Sequence, residues 1–212
     1  MKLLFSTAAL AAGLALAQAA SAGIVLQDNF NAGTPGGNWA GDSIFSSPSS
    51  YPGYAGSNAN ASTDLVGGAF YGSLCNPGQG NCVDLDGSTG NGNNPAGVLE
   101  SIASFAAHTY TLTFDLAGNQ RGAPSQTTDI YLGSQLVGAI TLASGDPWAT
   151  HTLTFTGSGN LAFVEVGPSD NQGNVLDNVT LSAVPEPAAW ALMLAGFAGL
   201  GAAMRRRRVA LV

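Results

Sequence analysis

Hydrophobic and polar residues alternate with a period of two in several segments between residues 108 and 183. One segment reads HTYTLTFDL, and its apolar residues share one face: Tyr110, Leu112, Phe114 and Leu116. The segments ATHTLTF and NVLDNVTL show the same alternation, and in the second one Asp177 has the same phase as the apolar residues, which are Val175, Val179 and Leu181. This period predicts strands that bury one face and expose the other.

Other segments add strands of different kinds. TTDIYLGSQLVGAITL predicts a hairpin that turns at Gly133 and Ser134, and NLAFVEV, which is apolar on both faces, predicts a central strand. AGVLES and GIVLQDNF are shorter candidates, whereas the Gly-, Ser- and Asn-rich stretch from Asn31 to Asn81 predicts long loops, with a short helical turn as the alternative. Short strands between turn-rich segments predict a mainly β fold, an antiparallel β-sandwich or jelly roll.

The two ends of the chain are apolar in a different way. Lys2 precedes the apolar run from Leu3 to Ala20, and the small residues Ala20-Ser21-Ala22 follow. This order predicts a secretory signal peptide at residues 1–22, with Gly23 as the first mature residue. The alternative, an N-terminal membrane anchor, fits a short Ala-rich run with a cleavage pattern less well.

Charge separates the ends from the middle of the chain. All 13 acidic residues lie between Asp28 and Glu186, where Arg121 is the only basic residue, so residues 23–187 carry a formal charge of −12 although the whole chain carries −7. Such a domain cannot attract nucleic acid or an anionic membrane surface through its field. We expect a charge-solubilised exported domain that tolerates divalent cations.

The two cysteines, Cys75 and Cys82, enclose the turn-rich stretch NPGQGN. An even count in an exported protein favours one disulfide. The spacing differs from C-x-x-C, which argues against a redox motif or a zinc site.

Two acidic patterns are candidates for calcium. In VDLDGSTGNGNN, Asp84 and Asp86 offer oxygens at alternate positions, but Pro95 stands where an EF-hand loop would have its bidentate acid. A solvated turn is the alternative reading. Asp28 and Asp177 lie near the two ends of the domain, and first and last strands often pair in a jelly roll, so these two acids are a second candidate pair.

Candidates for sugar binding or hydrolysis are less specific. Aromatic rings in loops can stack on sugars or can cover the core, and the loop-rich region supplies four of them: Trp39, Tyr51, Tyr54 and Tyr71. No G-x-S-x-G or H-E-x-x-H motif occurs, and His108 and His151 stand at strand starts, where a structural role is expected. Glu100 and Glu165 are available carboxylates, but no spacing selects them as a glycosidase pair. We therefore expect no enzyme.

The tail reads VPEPAAWALMLAGFAGLGAAMRRRR. As a helix, residues 188–204 would span roughly 25 Å, near the lower limit for crossing a bilayer. The four arginines that follow, Arg205, Arg206, Arg207 and Arg208, would remain cytoplasmic, and the β domain would lie outside the inner membrane. A plain C-terminal anchor explains this helix and the arginines but leaves the Pro-Glu-Pro unexplained.

This tail resembles the PEP-CTERM sorting signal of Gram-negative bacteria in its PEPxxWA form. The matching residues are Pro185, Glu186, Pro187, Trp190, Ala191 and the four terminal arginines. The resemblance implies export, transient anchoring in the inner membrane, processing by an exosortase and final placement at the cell surface or outside the cell, in association with exopolysaccharide and biofilm. It divides the chain into a signal peptide (1–22), an extracytoplasmic domain (23–183) and a sorting signal (184–208).

The middle of the chain resembles galactose-binding-like jelly rolls in the phrases VDLDGSTG, YTLTFDLAGNQRG and VLDNVTL. This resemblance implies a matrix protein or a carbohydrate-binding module. The acidic candidates described above would let calcium stabilise such a module. No sugar-binding residue carries over from it.

Overall fold

Two long antiparallel strands organise the fold of this protein. The computed structural model describes residues 23–48, 61–88, 97–168, 170–184 and 196–199, and residues 23–184 form a compact unit by themselves. Residues 196–199 are helical, and the rest of the predicted membrane helix, with the signal peptide, lies outside the described residues. Among the helices that are described, none has the length and apolar character needed to cross a bilayer.

The described residues of this unit form ten strands and a short 3-10 helix, Gly72–Leu74. The strands are β1 (Gly23–Asp28), β2 (Gly36–Trp39), β3 (Phe45–Ser46), β4 (Thr63–Val66), β5 (Cys82–Asp84), β6 (Val98–Ala117), β7 (Gln126–Leu132), β8 (Gln135–Leu142), β9 (Ala149–Val166) and β10 (Val175–Ala183). They pair antiparallel in the order β2-β4-β5-β10-β6-β9-β7-β8, while β1 pairs with β10 and β3 with β6. The prediction of a mainly β, antiparallel fold is confirmed.

Strands β6 and β9 are longer than the sequence pattern predicts. AGVLES and HTYTLTFDL, expected as two strands, are the ends of the 20-residue β6, and ATHTLTF and NLAFVEV are joined in the 18-residue β9. Register shifts between Glu100 and Ser104 and between Phe105 and His108 lie where the segments join. Bulges of this kind bend a ladder without ending it, so the turn-like Ala, Ser and Gly residues there mark a bend rather than a loop.

One core cluster collects buried side chains from most of the strands. Its fully buried members include Leu65 of β4, Phe114 of β6, Ile130 of β7, Phe163 of β9 and Leu176 of β10. Strands that are distant in the sheet order thus pack against one another, as in a β-sandwich.

Strand β10 departs from its predicted phase. Asn178 has a φ of 52°, and the register with β6 shifts between Asp177 and Thr180. Because the bulge adds a residue, Leu176 rather than Val175 shares the main core with Val179 and Leu181. The prediction that Asp177 keeps the phase of Val179 is therefore wrong.

The hairpin prediction is confirmed, since Leu132 pairs with Gln135 and Gly133 adopts a φ of 59° in the turn. The prediction of long loops from Asn31 to Asn81 is wrong in part, because β2, β3 and β4 lie in that stretch. Phe30, Phe45 and Leu65 are fully buried and attach it to the core.

Candidate functional site

The pairing of β1 with β10 brings two predicted calcium ligands into one region. Asp28 lies opposite Val179, two residues beyond Asp177. In each acid one oxygen is used locally: Asp28 Oδ1 accepts the Phe30 N–H at 2.8 Å, and Asp177 Oδ1 accepts the Asn178 N–H at 2.7 Å. The other oxygen, Oδ2, is buried in both residues and has no hydrogen-bond partner.

Burial and neighbouring acids disfavour the charged form of both residues. Burial, with a contribution from the charge of Asp42, raises the pKa of Asp28 to about 6. Burial likewise raises the pKa of Asp177 to about 7, with contributions from the charges of Asp115 and Asp28. The charge of Asp28 thus contributes to the shift at Asp177, and a cation bound near both acids would relieve this repulsion.

A pocket of about 490 Å³ opens beside Asp28, whereas Asp177 is fully buried and does not line it. Asp28 lines it together with three amide side chains, those of Gln27, Asn29 and Asn178. Within the described ranges, no group of three or more Asp, Glu, His or Cys side chains is arranged to hold a metal ion. Calcium takes six to eight oxygen ligands, so Asp28 and Asp177 would need amide, backbone or water oxygens to complete a site.

The other predicted acidic pair is held by protein groups. Asp84 Oδ2 forms a salt bridge with Arg121 Nη2 at 2.6 Å, and its Oδ1 accepts N–H groups from Gly173 at 2.9 Å and Asp86 at 3.2 Å. Asp86 Oδ2 accepts the Asp170 N–H at 3.0 Å. The only basic residue of the acidic domain thus takes the position beside Asp84 that a cation would need.

Burial is the main cause of the raised pKa values of Asp84 and Asp86. It raises the pKa of Asp84 to about 7 in spite of Arg121, and that of Asp86 to about 6. Asp86 Oδ1 is buried without a partner. This cluster ties β5 to the segment before β10, which indicates a structural role.

Glu165 joins the same cluster, although its position in the apolar segment NLAFVEV did not single it out. It is 1% exposed, its Oε2 accepts the Thr128 hydroxyl at 2.7 Å and its Oε1 accepts the Asn174 N–H at 3.1 Å. Burial raises its pKa to about 8, and the charges of Asp84 and Asp86 add to the shift. The sequence did contain a signal for Glu165, because it is the one charged residue in a predicted strand that is apolar on both faces.

The candidate glycosidase pair does not converge on one face. Glu100 lies opposite Ala162 on the β6–β9 ladder, three residues from Glu165 in a regular stretch. Because side chains alternate between faces along a strand, Glu100 and Glu165 project from opposite faces. The histidines also have structural surroundings: His108 Nδ1 lies 2.8 Å from the Thr109 carbonyl, and the His151 ring stacks on Phe114.

The predicted aromatic residues do not form a common platform in the described ranges. Trp39 packs edge to face on Phe30, with ring centroids 6.1 Å apart, and lies against the core. Tyr71 is 58% exposed and contacts Phe70. Tyr51 and Tyr54 lie outside the described residues, so their role stays a prediction.

The predicted disulfide is confirmed. Cys75 and Cys82 are bonded, with Cα atoms 5.5 Å apart, and both are buried. Trp148 packs against this cluster, and its Nε1 donates to the Leu74 carbonyl at 3.1 Å. The disulfide therefore ties the loop before β5 to β5 itself, and Trp148 attaches this loop to the segment before β9.

Solved structures show what the β unit is similar to. The K1 adhesin domain of Lys-gingipain from Porphyromonas gingivalis W83 matches with a TM-score of 0.54 and 15% identity over 74% of this chain and 97% of that one. The K2 adhesin domain matches with a TM-score of 0.52 and 16% identity over 74% and 98%. At this identity the likeness establishes a shared fold.

A family 35 carbohydrate-binding module from Clostridium thermocellum matches with a lower TM-score of 0.37 and 15% identity, over 70% of this chain and 98% of that one. No curated protein matches the sequence. The predicted sorting residues, 185–208, lie outside the described structure except for residues 196–199. The family comparison nevertheless identifies them: residues 183–208 of this chain are a PEP-CTERM protein-sorting motif.

Proposed function

We propose that this chain is an exported protein that an exosortase processes within its PEP-CTERM motif, and that its β unit acts as a non-enzymatic component of the cell surface or exopolysaccharide matrix. The observation that carries the proposal is the position of the motif. Strand β10 ends at Ala183, where the motif begins. The last contact of the unit is the Val184 N–H, which donates to the Thr109 carbonyl at 2.8 Å.

This boundary makes removal of the tail compatible with a stable domain. Strand β10 pairs with β1, β5 and β6, and all of these pairings lie between residues 23 and 184. Cleavage after residue 184 would therefore leave every described ladder complete. Before cleavage, residues 188–204 would anchor the chain in the inner membrane, with the arginines on the cytoplasmic side.

Mass spectrometry of the mature C-terminus tests the proposal directly. We expect a form that lacks Arg205 to Arg208 in cells with the exosortase and a form that retains them in cells without it. A Trp190→Ala variant should be processed less, whereas Trp148→Phe, outside the motif, should be processed normally. A mature protein that retains the arginines in exosortase-containing cells would refute processing.

Carbohydrate binding is the alternative molecular role, and the pocket beside Asp28 supports it best. Three amide side chains and one carboxylate line the pocket, and such groups hydrogen-bond sugar hydroxyls in both directions. A glycan array should then show binding that Gln27→Ala weakens and Tyr71→Ala leaves unchanged. A reversed order would move the site to the exposed ring, and flat profiles for all proteins would exclude the binding role.

A calcium ion at Asp28 and Asp177 is compatible with either role. The support is the pair of buried, unpartnered Oδ2 atoms, because buried carboxylate oxygens are normally hydrogen-bonded or coordinate a metal. The ion would stabilise the β1–β10 pairing. The hydrolase alternative is not proposed, since Glu100 and Glu165 project from opposite faces of the ladder.

A further inference from the structure

The first half of β9 has a free edge. From Ala149 opposite Leu116 to Gly157 opposite His108 it pairs with β6, whereas its pairing with β7 begins only at Leu161. In the part of the chain that the structure describes, no strand pairs with the second edge of residues 149–158. An edge of this kind presents unpaired backbone N–H and C=O groups to any other strand.

This edge lacks the features that normally prevent such pairing. Residues 149–158 read ATHTLTFTGS, with no proline, lysine or acid. Their register with β6 is regular from Ala149 to Thr156. The other edge strands differ, because the ladders of β1, β2 and β8 contain a register shift and β3 has only two residues. Bulges and charges discourage edge-to-edge association, so β9 is the least protected long edge among the described strands.

A second copy of the same chain can approach this edge with little local repulsion, because the segment carries no acid. Two domains with a formal charge of −12 repel each other, and the repulsion is smallest where the meeting surfaces carry no acid. The only ionisable side chain of the segment is His151, which is half-buried against Phe114. A strand also meets its own copy antiparallel across a two-fold axis, as an isologous interface requires.

The outward threonines of the segment suit this arrangement. Thr150, Thr152, Thr154 and Thr156 are all exposed. Thr156 already pairs with Thr109 of β6 through hydroxyls 2.9 Å apart, and cross-strand Thr–Thr pairs stabilise a sheet. Asp115 of β6 lies beside one end of the segment, where it accepts the Thr150 hydroxyl. With the axis near Leu153, this acid would approach the uncharged Gly157 end of the other copy.

We propose that two copies of this protein pair antiparallel through residues 149–158 of β9, so that their sheets continue across a two-fold axis. The dimer is independent of the sorting motif and of any sugar or calcium site. It would give an exported protein a self-assembling surface at the edge of its threonine-covered sheet.

Light scattering on the full chain, purified in detergent, tests the dimer against a matched pair of variants. Wild type is expected at twice the protein mass of 21.2 kDa. Thr152→Asp with Thr154→Asp places like charges across the axis and should give a monomer. The control, Thr111→Asp with Thr113→Asp, changes the residues directly opposite these on β6, one strand away from the edge, and should remain dimeric.

Hydrogen exchange of the wild type decides the question even if a variant fails to fold or the tail itself associates. The amides of residues 149–158 should gain protection as the protein concentration rises, and those of the β8 edge should not. A monomeric wild type, an edge variant that remains dimeric, or exchange at residues 149–158 that ignores concentration would each overturn the proposal.

Discussion

The rings of Phe114 and Phe163 pack edge to face with centroids 5.2 Å apart, although they lie far apart on the same ladder. Phe163 is opposite Leu99 of β6, whereas Phe114 lies 15 residues further along that strand. A straight strand would separate the two positions by roughly 50 Å. The β6–β9 ladder therefore folds back on itself, and the contact closes the sandwich around its core.

Removing one of these rings should destabilise the whole unit. Phe163→Ala deletes a fully buried side chain and should lower the free energy of unfolding by about 3–5 kcal/mol, measured by urea denaturation. Val166→Thr, at an exposed position of the same strand, should change it by about 0.5 kcal/mol or less. Similar losses in the two variants would contradict the folded-back core.

Loss of Arg121 should be costly in a pH-dependent manner. Arg121→Ala leaves Asp84, 1% exposed, without its salt bridge, and breaking a buried pair costs about 3–5 kcal/mol. The cost should be largest at pH 8, where Asp84 is ionised, and smaller at pH 5, below its pKa of about 7. Denaturant unfolding at both pH values measures the difference.

The matched control for Arg121 is the double variant Arg121→Ala with Asp84→Asn. It removes both charges and should recover part of the stability at pH 8. If the double variant is no more stable there than Arg121→Ala, the unpaired carboxylate is not the cause of the loss.

Stability should decrease as the pH rises, because Glu165 has a raised pKa. In the folded state this pKa is about 8, against an ordinary value of 4.5. Between these values the folded state retains a proton that the unfolded state has lost, so the stabilisation is complete below about pH 4.5 and is lost as the pH rises towards 8. The melting temperature should therefore be higher at pH 5 than at pH 8.

Glu165→Gln isolates this contribution. The variant keeps an oxygen for the Asn174 N–H but cannot ionise, so its melting temperature should depend less steeply on pH than that of the wild type. The raised pKa values of Asp84 and Asp86 act in the same direction, so some slope should remain. A melting temperature that rises with pH in the wild type would contradict the assignment.

Calcium should raise the melting temperature if it binds at Asp28 and Asp177. A ligand at one hundred times its Kd stabilises the folded state by about 2.7 kcal/mol, which a comparison of calcium with chelator detects at constant ionic strength. Asp177→Asn should abolish the response. Asp129→Asn, in β7, should retain it. An unchanged wild-type melting temperature would remove calcium from the proposal.

Local features of this protein could be predicted because each depends on neighbouring residues. Strand faces follow from alternation, the β7–β8 hairpin from Gly133, and the disulfide from two cysteines around a short turn-rich loop. The Asn178 bulge escaped prediction, because one left-handed residue changes the phase of β10 without changing the apparent alternation.

The candidate site also contains some features that the sequence predicted and others that depend on long-range contacts. The meeting of Asp28 with the Asp177 region follows from first and last strands being neighbours, which the sequence suggested. Arg121 as the partner of Asp84, and Glu165 beneath the same cluster, depend on contacts between segments distant in the chain.

The sequence by itself determined the sorting motif, the mainly β composition, the disulfide and which residues face inward in a regular strand such as the second half of β6, because motif order and side-chain periodicity are properties of local sequence. Only the tertiary structure decided that four predicted strands are the ends of two, that β6 and β9 fold back to join Phe114 to Phe163, and that Arg121 pairs with Asp84. The physical reason is that alternation specifies the face of a strand, whereas its partner and its bend are set by packing of the common core.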